Sequence, residues 1–66
     1  MTAILRRARE LQPGHKLFFT LETVIRTFTD RMTPEGYVNV TLQKPCGKTR
    51  TAVYKTYKRI KLYMDA

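Results

Sequence analysis

The chain is 66 residues long, 42% apolar and 11% aromatic, and its thirteen lysines and arginines outnumber five acids to give a formal charge of +8. Such a length makes one small basic domain, residues 1–66, that hides only about 60% of its unfolded surface on folding, so its core is small and a homodimer is one remedy open to it. The apolar content exceeds that of a disordered polyelectrolyte, and the absence of an apolar run long enough to span a bilayer excludes a membrane-spanning helix.

Ile4, Leu5, Ala8 and Leu11 recur at the spacing of one helical face, with Arg6, Arg7, Arg9 and Glu10 on the other, before Gln12-Pro13-Gly14 punctuates the chain. This predicts a short first helix. Lys16 to Phe19 is too apolar for a loop and too short for a helix, and is expected to form a short strand or a core plug. Leu21, Val24, Ile25, Phe28 and Met32 then describe a full apolar stripe at helical spacing. Thr20 is placed to cap this second helix and Glu22 to favour its dipole, with an end near Met32 ahead of Pro34 and Gly36.

Tyr37 to Gln43 alternates strictly, with Val38, Val40 and Leu42 on one side, and predicts a half-buried strand. Lys44-Pro45-Cys46-Gly47 carries turn chemistry. If those four residues are the loop, Gln43 faces Lys48, and Val38, Val40 and Leu42 lie opposite Val53, Thr51 and Thr49. Tyr37 then meets Tyr54 and Thr41 meets Arg50 on the outer face, where Lys48 also projects. Beyond Tyr54 the alternation slips. Either a third short strand turns Ile60, Leu62 and Met64 inward, or a terminal helix aligns Val53, Tyr57, Ile60 and Met64. The expected fold is therefore α+β, two N-terminal helices followed by a C-terminal β-hairpin and a third short strand or terminal helix, loosely similar to winged-helix modules.

Cys46 is alone and His15 is the only histidine, while Glu10, Glu22, Asp30, Glu35 and Asp65 are scattered. No internal disulfide, metal ligand set or acid–base constellation is expected, and hence no cofactor and no enzymatic activity. The segment Met1 to Arg7 lacks the apolar core of a signal peptide, so a cytoplasmic location is expected.

Between Glu35 and Asp65 there is no acid, yet Lys44, Lys48, Arg50, Lys55, Lys58, Arg59 and Lys61 are interleaved with Tyr54, Tyr57 and Tyr63. A one-signed segment studded with aromatic rings attracts a polyanion and offers faces for stacking. The expected partner is nucleic acid, DNA favoured over RNA, held by Lys44, Lys48, Lys55, Lys58, Arg59 and Lys61, with Arg50 as the candidate for a base edge and Tyr54 packing or stacking beside it. The implied roles are those of a regulator, a recombination accessory factor or an architectural helper. A rival expectation is a protein-binding module, a viral- or plasmid-type factor docking on an acidic host protein, and a third is an RNA-binding component.

The stretch Gly47-Lys48-Thr49-Arg50-Thr51-Ala52-Val53-Tyr54-Lys55 also resembles the turn and recognition helix of helix-turn-helix proteins of the resolvase and invertase kind. That resemblance implies Thr49, Arg50, Thr51 and Lys55 facing the major groove. The chain departs from the pattern where Pro45, Val38 and Val40 fall in the preceding helix and where Lys48 and Thr56 take apolar positions.

Overall fold

In a computed structural model the described residues of the chain form one antiparallel sheet of six strands, ordered β1-β6-β2-β3-β4-β5. The strands are β1 (Thr2–Arg7), β2 (Lys16–Leu17), β3 (Thr23–Phe28), β4 (Tyr37–Gln43), β5 (Thr49–Lys55) and β6 (Arg59–Met64), with a single 3-10 turn at Ala8–Glu10 after β1. The structure describes residues 2–64 and, for Thr2 and Met64, the backbone alone. The expected inward packing of the Met64 side chain, and Asp65 as the far limit of the acid-free stretch, lie outside the described residues.

The short β5–β6 connection dictates the curvature. Lys55 and Arg59 are four residues apart and span at most about 14 Å, whereas β5 and β6 stand four places apart, about 19 Å in a flat sheet. The sheet must therefore roll until its ends approach. The 3-10 turn completes the closure: Ala8 N–H donates to the Lys58 carbonyl at 2.9 Å and Arg9 N–H to that of Thr56 at 3.0 Å, while Thr56 N–H reaches the Gly36 carbonyl at 2.9 Å. Leu42, Leu62, Val24 and Val40 are the largest fully buried side chains. Each contributes roughly 1.5–3 kcal/mol by leaving water. Ala8, Leu11, Leu17, Val38 and Ile60 complete the core, with Ile4, Ala52 and Tyr54 packed against it.

Among the described residues there is no α-helix, so the α+β, winged-helix-like expectation is overturned, and with it the recognition helix that the resolvase resemblance implies for Gly47 to Lys55. It follows that no helix is long and apolar enough to cross a membrane. The physical reasons are local. Thr23, Val24, Ile25 and Thr27 are β-branched and favour the pleated surface, and a bulge between Val24 and Arg26 lets β3 absorb the Val24-Ile25 pair that imitated helical spacing. In the first segment, Ile4 packs from β1 while Ala8 and Leu11 are buried by the 3-10 turn, so one apolar stripe is divided between two elements.

The β4–β5 hairpin is present at the expected place, but its register differs by one residue. Gln43 faces Thr49, Leu42 faces Arg50, Val40 faces Ala52 and Val38 faces Tyr54. Lys44 and Lys48 pair through Lys44 N–H to the Lys48 carbonyl at 2.7 Å, and Gly47 N–H closes on the Lys44 carbonyl at 2.8 Å. Gly47 has φ +98°, the left-handed position that follows a type I turn and shortens the loop to three residues. One residue of slip turns every β5 side chain to the opposite face. Arg50, Ala52 and Tyr54 consequently point inward, and Val53, expected in the core, points outward with 52% exposure. β6 follows the third-strand alternative, with Ile60 and Leu62 buried.

Candidate nucleic-acid interface

The β2–β3 hairpin raises a four-residue turn, Phe18 to Leu21, over the end of the rolled sheet. Leu17 N–H donates to the Glu22 carbonyl at 2.8 Å, Leu21 N–H to Leu17 at 3.1 Å, and Phe18 N–H to the Lys61 carbonyl on β6 at 2.9 Å. Leu21 takes φ +60°, an unfavourable region for a side chain with a Cβ, and these bonds hold it there. Within the turn, Phe18 stacks on Tyr63, with ring centres 4.8 Å apart and planes at 29°, and meets Phe19 edge-on at 5.3 Å. The Lys61 ammonium lies 4.4 Å from the Phe18 ring centre and 5.5 Å from that of Phe19.

Beside this turn opens a cleft of about 360 Å³. Its wall is largely apolar, from Leu5, Phe19 and Tyr54 together with the buried Leu17 and Ile60, and its charged groups are Lys58, Arg59 and Lys61. No acid lines it. The Lys58 ammonium sits 5.3 Å from the Tyr54 ring centre, so cation and ring face the space together.

On the other side of Thr20, which lines both spaces, lies a shallower hollow formed with Glu22, Lys44, Pro45, Cys46 and Arg50. Here Glu22 is buried and Arg50 grips it with two bonds, Nε to Oε2 at 2.7 Å and an Nη to Oε1 at 2.8 Å. The bonds from Arg50 hold the Glu22 carboxyl below its ordinary pKa against the opposing effect of burial, with further help from the Thr20 hydroxyl. The same pair raises the Arg50 pKa above its already high ordinary value. A guanidinium so engaged has two of its donors committed.

Of the residues singled out in the sequence, Tyr54, Lys58, Arg59 and Lys61 meet in the cleft, and Lys44 and Arg50 meet in the hollow. Lys48 lies in the β4–β5 loop beside Lys44, and Lys55 stands opposite Tyr37 with its carbonyl accepting the Lys58 N–H; both are exposed and line neither space. Phe18, Phe19, Leu5 and Thr20 were not among the expected site residues. The available signal was the pair of phenylalanines in a segment too apolar for a loop, followed at once by turn geometry.

His15 accepts the Gln12 N–H on Nδ1 at 3.1 Å within a turn, and Cys46 is exposed and free. Among the described residues no group of three or more His, Cys, Asp or Glu side chains is placed to hold a metal ion. Comparison with protein-family models, with curated proteins and with solved structures found no match to this chain.

Proposed function

We propose that this chain is a non-enzymatic nucleic-acid-binding module. The observation that carries the proposal is the convergence of Lys58, Arg59 and Lys61 with Phe19 and Tyr54 on one cleft that no acid lines among the described residues, in a chain of net charge +8. Phosphate is the abundant anion that such a surface attracts, and aromatic walls add contacts that a simple counter-ion does not use. Lys58, Arg59 and Lys61 take the phosphates nearest the cleft. Lys44, Lys48 and Lys55 extend the positive field along the neighbouring surface, and Arg50 acts through Glu22 as a positioning residue.

Titration of labelled DNA and RNA oligonucleotides by fluorescence anisotropy tests the proposal. With three to six phosphates neutralised, affinity falls about twenty-fold to a thousand-fold between ~50 and ~200 mM salt. Lys61→Ala and Arg59→Ala each flatten the logarithmic salt slope by about 1. A salt response that is flat, or unchanged in both variants, overturns the proposal. Displacement of the oligonucleotide by poly-glutamate at equal charge concentration transfers the surface to an acidic protein partner instead.

A further inference from the structure

Building on that nucleic-acid reading, we infer that the cleft beside the Phe18–Leu21 turn receives an unpaired nucleotide from a single strand, its base against the Phe19 ring and its phosphates on Arg59 and Lys61. Phe19 is 79% exposed at the tip of a turn, where an aromatic ring makes no contribution to the core. It is nevertheless held in place. Phe18 braces it edge-on and is itself stacked on Tyr63, and the Phe18 N–H anchors the turn to the Lys61 carbonyl at 2.9 Å. A ring that is exposed yet braced by a neighbouring ring binds a flat partner at a reduced ordering cost.

The chemistry of the cleft identifies that partner. Its cations, with no acid among the described lining residues, call for an anion, while Phe19, Tyr54 and Leu5 call for a flat or apolar body attached to it. A nucleotide unit joins the two at short range, and at about 360 Å³ the cleft lies at the small end of the ~300–1,000 Å³ typical of ligand sites. In a duplex the base faces are covered by their neighbours. Only an unpaired base can present its face to Phe19. The Lys61 ammonium, 4.4 and 5.5 Å from the two phenylalanine ring centres, then lies where a phosphate next to that base would pass. Thr20 joins the cleft to the hollow holding Lys44, which offers the strand a continuous path around the turn.

The chain contains no tryptophan, so Phe19→Trp creates a unique fluorophore at the site. Oligo(dT) and oligo(U) quench it on binding, and a duplex of the same length, bound to a similar extent by anisotropy, leaves it bright. The relative response to oligo(dT) and oligo(U) distinguishes a DNA strand from an RNA strand as the source. Phe19→Ala weakens single-strand binding about 5-fold to 150-fold, the range for loss of one stacked base, and changes duplex binding less than about 2-fold. The inference is overturned if bound single strands leave the tryptophan unquenched, or if Phe19→Ala weakens duplex and single strand equally. Absence of binding to any nucleic acid refutes the broader proposal instead, so the two failures are separable.

Discussion

Among the described residues Glu22 is the one acid drawn into the folded interior, 3% exposed, and Arg50 meets it from a strand two places away while staying 44% exposed itself. Because the folded carboxyl has a depressed pKa, its stabilisation is present above the ordinary carboxylate range and is lost as the pH falls through the lower folded value. Arg50→Gln leaves the carboxylate without its cation and is expected to cost about 1–3 kcal/mol at neutral pH, toward the lower end because solvent screens the exposed guanidinium. Urea unfolding of both proteins at pH 7 and pH 3 checks this. The gap narrows at pH 3, where protonation removes the unpaired charge, and a gap of equal size at both values contradicts the assignment. The sequence displays an arginine and a glutamate 28 positions apart. Their pairing was not legible there, because Arg50 faces inward only in the actual hairpin register.

At the scale of the element, the β4–β5 hairpin was legible from strict alternation over Tyr37 to Gln43, whereas its register depended on a single glycine conformation. Counting Lys44 to Gly47 as the loop places Val53 inside; pairing Lys44 with Lys48 around Gly47 places Arg50, Ala52 and Tyr54 there. Two substitutions separate the cases. Leu42→Ala, at a fully buried position, is expected to cost about 2–5 kcal/mol. Val53→Thr, on the exposed face, is expected to stay within about 0.5 kcal/mol. Denaturant midpoints measure both, and a costly Val53→Thr would restore the other register. The two expected helices misled for a different reason. Ile4 to Leu11 shows helical spacing because β1 gives way to a 3-10 turn at Ala8, and in Leu21 to Met32 the bulge accounts for the Val24-Ile25 pair, while Leu21 lies in the turn before β3 and Met32 beyond its end.

For the whole molecule, the curl of the sheet brings together parts of the cleft that are distant in the chain. Leu5 comes from β1, Phe19 from the β2–β3 turn, Tyr54 from β5, and Arg59 and Lys61 from β6. The basic, tyrosine-bearing stretch pointed to Tyr54, Lys58, Arg59 and Lys61, but only the closure sets Leu5 and Phe19 against them. If the hydrogen bonds from Ala8 and Arg9 to the β5–β6 turn hold the roll closed, these two amides exchange with solvent as slowly as those of β4, despite the exposed side chains around them. Hydrogen exchange followed by NMR reads this directly. Fast exchange at Ala8 and Arg9 with protection retained in β4 would mean that the sheet opens at that end without unfolding.

β6 is made by the ribosome after the other five strands, yet it is seated between β1 and β2. Before β6 is made, the β2–β3, β3–β4 and β4–β5 pairs already have both strands, while β1 lacks the strand it pairs with. The arrival of β6 therefore joins β1 to the β2–β5 part of the sheet, bringing Ile60 and Leu62 of the core and the Arg59–Lys61 side of the cleft. Pairing across so long a sequence separation is slow, so the cleft and the closed sheet are expected to form together as β6 docks.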